Sequence, residues 1–384
     1  MGERLRVLLL FGGRSAEHDV SRVSAVAAAA ALDPARYEVV PVAITTEGQW
    51  LLAGQARALL AGGRDALPAA FAVEGVPVAE LPDPAQRALV PLDPQPGAEV
   101  LPAGALEFDV VLPLLHGPYG EDGTVQGLFE LAGVPYVGSG VVGSAVGMDK
   151  VMMKRAFAAE GLPMVAHLVY REGRDHDAFV GRVEAELGYP CFVKPANMGS
   201  SVGVGRAADR AGLDAALAAA LGFDEWVIVE EAVVAREIEV GVLGDDEPEA
   251  SIPGEIVPGD EFYSYTDKYE DDAAQLLAPA PLSPEAAAEV RALALDAFAA
   301  CRCAGMARVD FFYEEHRLDG TPGRGFLINE VNTIPGFTPI SMFPRLWALS
   351  GVPYPELLDR LIGYAQERHD RRARRAGRQR GERL

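Results

Sequence analysis

The sequence predicts an α/β protein of two or three domains, and three observations carry that reading. A chain of 384 residues is longer than one ordinary hydrophobic core organises. Its opening reads as strand, turn, helix and strand, the pattern of a parallel α/β layer. Farther along, short apolar runs alternate with helical stretches and Gly-rich breaks.

Val7 to Phe11 is a continuous apolar run broken by Gly12 and Gly13, and Ser21 to Leu32 is an Ala-rich helical stretch ended by Asp33-Pro34. Glu38 to Ile44 follows as a second strand. From Leu52 to Gly104 the chain turns to Ala, Pro and Gly with weak periodicity, which predicts long connections and short elements. Phe108 to Leu115 restores a buried strand and delivers His116-Gly117 at its carboxyl end, where open α/β sheets place ligands. Asp149 to Glu160 is helical, with Asp149 as N-cap and Gly161 as its stop. Cys191 to Lys194 runs into the Gly-rich loop Asn197 to Gly205. Trp226 to Glu230 and Glu237 to Leu243 read as strands, Pro284 to Cys301 as a helix with one apolar face, and Ala307 to Phe312 and Phe326 to Val331 as the last strands.

Composition excludes several classes. Hydrophobic residues make up 49% and charged residues 23%, as in a globular protein, and no apolar run reaches spanning length. The start has no small-residue cleavage site, so a soluble cytoplasmic protein is expected. The net charge of -22 argues against nucleic acid, because an acidic surface repels phosphate. Cys191, Cys301 and Cys303 are odd in number and lack metal-ligand spacing, which predicts reduced core thiols. Arg371, Arg372, Arg374, Arg375, Arg378, Arg380 and Arg383 crowd the end, and such a run reads as a solvated, disordered tail.

Strand alternation points to a site. Residues two apart share a face, so Arg308 and Asp310 point one way on one strand, and Glu330 and Asn332 do so on the next. If those strands pair, four polar groups converge within otherwise apolar strands. Two carboxylates and an amide oxygen are hard ligands suited to Mg²⁺ on a substrate phosphate. Arg308 beside them suits a developing oxyanion. A structural ion-pair network would also collect such charges. The rigid turn Thr333-Ile334-Pro335-Gly336-Phe337-Thr338 that follows offers a backbone N–H at Gly336, which favours a site.

A metal-phosphate site needs a nucleotide cradle, and the chain has no G-x-x-x-x-G-K-[ST] segment, so a Walker P-loop enzyme is excluded. The substitute is Val193-Lys194-Pro195 followed by Ala196 to Gly205, a strand lysine ahead of small residues that let backbone N–H groups approach phosphate. Alone, it reads equally well as a hairpin. Gly138-Ser139-Gly140-Val141-Val142-Gly143 fits a dinucleotide-binding pattern, but no long buried strand precedes it, and it is read as a turn.

Together these motifs resemble the D-alanine:D-alanine ligase family. The resemblance rests on Gly12 to Ser21, His116-Gly117 with Gly120-Glu121-Asp122-Gly123, Met148-Asp149-Lys150, the Lys194 to Gly203 loop, Phe262 to Tyr269, Arg308 to Phe311, and Asn329 to Thr338. It spans about Arg6 to Leu361, nearly the whole chain.

The resemblance implies a three-domain ATP-grasp fold, α+β in its ATP-binding part, with ATP between two antiparallel sheets. The expected units are 1–139, 140–235 and 236–366, with a basic disordered tail at 367–384. It implies ATP as substrate, two Mg²⁺ ions with Mn²⁺ as a substitute, and a homodimer. Lys150 and Lys194 are expected at the phosphates and adenine, with Ser200 and Ser201 in the loop over them. Glu230, Glu231, Val233 and Glu237 are expected around adenine and ribose, and Asp310, Glu330 and Asn332 on the metal. Arg308 and the Gly336 N–H are expected to stabilise the oxyanion. Glu17 is expected on the ammonium of the first D-alanine, oriented by His116. Ser200 and Tyr269 are expected to close a lid, roughly Gly259 to Ala278, over the site, with Lys268 at a phosphate and Ser341 at the second carboxylate. The implied reaction joins two D-alanines through an acyl phosphate for peptidoglycan synthesis. Relatives accepting D-lactate lack the Lys-Tyr pair and carry a lid histidine; Tyr269 is present here and no histidine lies between Glu255 and Pro279, so D-alanine is expected over D-lactate or D-serine.

Overall fold

The computed structural model describes residues 4–53, 71–85, 88–92, 106–257, 275–338 and 340–379. The first layer begins with β1 (Leu5–Gly12), α1 (His18–Ala31) and β2 (Tyr37–Ile44). It continues with β3 (Trp50–Ala53), β4 (Gly75–Ala79), β5 (Val90–Pro91), β6 (Val110–Pro113) and α2 (Thr124–Ala132). Its sheet runs β5-β4-β3-β2-β1-β6. The β2-β1-β6 centre is parallel, as the strand, helix, strand reading requires, and the β3-β4-β5 edge is antiparallel. Val7, Leu9 and Phe11 pack on Ala25, Ala28 and Ala29 of α1, which is why that helix is rich in alanine: small side chains let it lie close on the sheet.

Next come α3 (Val141–Met148), α4 (Lys150–Ala159), β7 (His167–Arg171) and α5 (His176–Glu186). They lead to β8 (Cys191–Pro195), β9 (Gly205–Ala207), α6 (Arg210–Leu221) and β10 (Trp226–Glu231). Their strands form an antiparallel sheet, β7-β10-β8-β9. Asp149 caps α4, accepting from the Val151 and Met152 N–H groups, both at 2.9 Å. The Gly138 to Gly143 segment differs from expectation: it is not only a turn, since α3 starts inside it at Val141.

The last part holds β11 (Arg236–Gly244), β12 (Glu249–Val257), β13 (Gln275–Leu277) and α7 (Pro284–Ala300). It ends with β14 (Gly305–His316), β15 (Pro322–Asn332), α8 (Met342–Leu349) and α9 (Tyr354–Gln379). Its sheet is antiparallel, β13-β12-β11-β14-β15. Helix α7 buries Val290, Ala294, Ala297 and Phe298 against the apolar face of this sheet. Helix α8 covers part of the other face. A Cβ at Gly241 would sit 2.8 Å from Trp347 Nε1 and one at Gly254 would sit 2.6 Å from Met342 Sδ, so both glycines admit the helix.

Over 367–379 the expected disordered tail is instead helical, part of α9, and 380–384 lie outside the described residues. Arg368 donates to the carbonyls of Gly138 and Tyr136 and lies over the Tyr136 ring, Arg371 pairs with Asp245, and Arg372 pairs with Glu130. These partners hold the helix across the first sheet's edge and the β11–β12 turn. Among the described residues, no helix is long and apolar enough to cross a membrane. All three cysteines are buried and free.

Candidate functional site

A cavity of about 410 Å³ opens where the first layer, the Gly-rich loop and the last sheet meet. The end of β1 positions its first wall. Gly12 turns with φ +87°, its N–H donates to Ser21 Oγ at 2.8 Å, and Ser21 donates to the Leu114 carbonyl. That ties the start of α1 to the segment after β6, so Glu17 and His116 face one space. Glu17 takes the N-cap position without a side-chain capping bond.

His116 is buried and its Nδ1–H donates to the Ile334 carbonyl at 2.9 Å, which fixes the ring with Nε2 on the other side. Glu121 accepts from the Gly117 and Ile334 N–H groups, each at 2.8 Å. The first layer therefore grips the Ile334 peptide from both sides, next to Gly336. Burial pushes the Glu121 carboxyl up to about 7.

Strands β14 and β15 build the floor. Asp310 lies opposite Glu330 and Arg308 opposite Asn332, so the four groups expected on one face are brought together. Arg308 donates to both Asp310 oxygens at 2.7 Å, its Nε lies 3.2 Å from Glu239, and Asn332 donates to Asp310 at 2.9 Å. Burial alone would lower the Arg308 pKa, but Asp310 and Glu239 hold it well above the ordinary value.

Lys150 enters from the start of α4, donating to the Met198 carbonyl at 2.6 Å and lying 3.8 Å from Glu330. Burial pushes its pKa down. Ser200 lines the cavity, and Ser200 and Ser201 are both left-handed, with φ of 51° and 58°. Consecutive non-glycine residues in that region are strained, and such strain gathers at ligand-holding loops. Gly336 and Ser341 complete the lining, with Ser341 at the N-cap of α8 and 2.8 Å from the Thr338 hydroxyl.

Beside the cavity lies a second buried cluster. Glu230 stands 2.6 Å from Lys194 and 2.8 Å from Lys154. Burial would raise the Glu230 pKa, yet the two ammonium groups hold it far below the carboxylate range; Lys194 is raised because Glu230 outweighs its own burial.

Not every expected residue joins the cavity. Lys194, Ser201, Glu230, Glu231, Val233, Glu237 and Asp310 do not line it, although Asp310 is hydrogen-bonded to Arg308 and Asn332, which do. Glu231 instead accepts from the Ala166 N–H at 2.7 Å and pairs with Arg324 at 2.6 Å. Lys268 and Tyr269, with the expected lid up to residue 274, lie outside the described residues, whereas its end forms β13 and Leu276 lines the cavity.

Three residues escaped the sequence reading: Lys154, Glu239 and the pocket role of Glu121. Glu239 stands two residues after Glu237 on an alternating strand, a usable signal, since both must share a face. Among the described residues no three His, Cys, Asp or Glu side chains form a ready metal cage. Asp310, Glu330 and Asn332 nonetheless fit Mg²⁺, which keeps substrate phosphates as ligands and needs only one or two carboxylates from the protein.

Family profiles described as "D-ala D-ala ligase N-terminus" and "D-ala D-ala ligase C-terminus" match residues 6–139 and 156–363. The chain belongs to the D-alanine–D-alanine ligase family. It is 48% identical to a D-alanine–D-alanine ligase of Geobacillus kaustophilus, over 95% of this chain and 96% of that one. It is 50% identical to one of Kineococcus radiotolerans, over 94% and 97%. The solved D-alanine-D-alanine ligase of Coxiella burnetii superimposes with a TM-score of 0.78 at 33% identity, covering 97% of this chain and 98% of that chain. The VanG D-Ala:D-Ser ligase of Enterococcus faecalis gives 0.79 at 32%, covering 94% and 100%. This ligase family has the ATP-grasp fold, consistent with the two antiparallel sheets here.

Proposed function

We propose that this chain joins two D-alanine molecules into D-alanyl-D-alanine, consuming ATP through an acyl phosphate and releasing ADP and phosphate, for peptidoglycan precursors. The observation that carries the reading is the shared cavity: Glu17 and His116 face Lys150, Arg308, Glu330 and Asn332 across it, with Gly336 and Ser341 on its rim. Groups for an amino acid and groups for a phosphate thus meet in one space.

Glu17 takes the ammonium of the first D-alanine and His116, with its ring fixed by Ile334, orients it. Lys150 and Lys194 neutralise the triphosphate, and Glu230, Glu231, Val233 and Glu237 border adenine and ribose. Asp310, Glu330 and Asn332 would hold Mg²⁺, which when bound withdraws charge from the phosphates. Arg308 and the Gly336 N–H stabilise the oxyanion formed when the second amine attacks the activated carbonyl. Ser341, at a helix N-terminus, suits the second substrate's carboxylate, because N–H groups and dipole there favour anions. Ser200, Ser201, Lys268 and Tyr269 belong to the closing loops, which keep water from the acyl phosphate. The same proposal includes domains at 1–139, 140–235 and 236–366, a homodimer, and a cytoplasmic location.

The test is phosphate release and product mass with ATP, Mg²⁺ and D-alanine, D-lactate or D-serine. D-alanyl-D-alanine is expected from D-alanine alone. No phosphate release with D-alanine would overturn the proposal, and release only with a mixed substrate would move it to a D-lactate or D-serine ligase.

A further inference from the structure

Arg308 is held by two carboxylates from two different strands. Asp310 grips it from its own strand with a pair of 2.7 Å bonds, and Glu239 approaches Nε at 3.2 Å from β11. The register sets Glu239 directly opposite Asp310, on the side away from Glu330. Glu239 is buried and lines the cavity. A buried carboxylate needs a partner, and Arg308 is a cation that Glu239 meets.

Under the reading above, Asp310 also serves the metal, so one carboxylate answers to two cations. Glu239 stands outside that proposed metal set. We propose that Glu239 is a positioning residue for the ligation step: it keeps the Arg308 guanidinium aimed into the cavity, independently of what Asp310 binds. Glu239 touches no reacting atom in this role and acts through Arg308 alone. The inference rests on Arg308 as the oxyanion partner, and the test separates the two ideas.

Three variants, Arg308→Ala, Glu239→Gln and the double substitution, are assayed for dipeptide formation, for Mg·ATP binding by calorimetry and for thermal midpoint. Glu239→Gln is expected to lower kcat by about 10- to 100-fold, the range for partners that orient a functional group, with Mg·ATP affinity within about twofold. In the Arg308→Ala background the same change should cost no further activity. It should also raise the midpoint of that background, because it removes a buried carboxylate that has lost its pairing with Arg308. Unchanged kcat in Glu239→Gln overturns the proposal, as does weakened Mg·ATP binding, which would assign Glu239 to the metal. Should Glu239→Gln alone fail to fold, the double variant against Arg308→Ala decides by midpoint: a lower one rejects the pairing. Normal turnover by Arg308→Ala would instead refute the oxyanion role beneath it.

Discussion

Two buried ion clusters flank the cavity with opposite balance. Lys154, Glu230 and Lys194 set two cations on one carboxylate, whereas Glu239, Arg308 and Asp310 set two carboxylates on one cation. Neither is neutral, although self-contained buried ion groups gain by neutrality. The first has positive charge to offer a phosphate and the second negative charge to offer a divalent cation. An unbalanced buried cluster thus describes the charge of the ligand it lacks. Glu330, opposite Asp310 on β15, lines the cavity 3.8 Å from Lys150.

Removing the single carboxylate of the cationic cluster should have the largest effect on stability. Glu230→Gln takes from Lys154 and Lys194 the carboxylate that both touch, and breaking such a buried cluster costs about 3–5 kcal/mol. The sign with pH follows from the depressed folded pKa. Glu230 contributes stability that is present above the ordinary carboxylate range, near 4.3, and is lost as pH falls toward its folded value. The variant should therefore melt lower at neutral pH and lose less on acidification, read from thermal midpoints across pH. Parallel acid-side slopes in both proteins would contradict the cluster.

Removing the single cation of the acidic cluster should strike activity. Arg308→Ala is expected to lower dipeptide formation by about 10²- to 10³-fold, the scale of losing one oxyanion donor, with nucleotide binding largely kept. Steady-state turnover alongside calorimetric ATP binding reads both. Loss of ATP affinity matching the loss of turnover would make Arg308 a binding group only.

Glu121 sharpens the contrast, because it is half-buried and its described hydrogen bonds come from backbone N–H groups rather than a cation. Its carboxyl, pushed up to about 7 by burial, favours the protonated form in the folded chain. Its contribution is fully present below about 4.3 and is lost as pH rises toward 7. Glu121→Gln should flatten the fall in thermal midpoint across that window. An unchanged profile would show that the His116 to Ile334 grip does not depend on its protonation.

How much of this was legible follows from where each signal resides. The alternation of Arg308 with Asp310 and of Glu330 with Asn332 is local, so the floor of the site could be read once the two strands were assumed to pair. The parallel start was legible for the same reason, since Val7 to Phe11 and the Ala-rich helix are contiguous. Lys154 was hidden because a lysine on a helix reads as solvated; only the fold places Glu230, on a distant strand, against it. Glu239 shares a strand face with Glu237, which alternation shows, but its pairing with Arg308 needed the β11–β14 register, which no local pattern contains. The Gly138 to Gly143 segment misled because small residues serve both turns and helix starts.

The arginine tail gives the smallest effect and the clearest lesson about partners. Its charges read as solvated because Tyr136, Glu130 and Asp245 lie far away in sequence, yet they meet it in the fold. Within α9 the positions divide. Arg368 is half-buried against two backbone carbonyls and the Tyr136 ring, whereas Arg374 and Arg375 are exposed. Arg368→Ala should cost about 1–3 kcal/mol, because it leaves buried carbonyls unsatisfied. Arg374→Ala should stay within about 0.5 kcal/mol, as surface changes do. Urea unfolding of both variants separates them. Equal midpoints would mean that α9 is held by the apolar contacts of Leu357, Leu358, Leu361 and Ile362 alone, and that its arginines are solvent-facing charges after all.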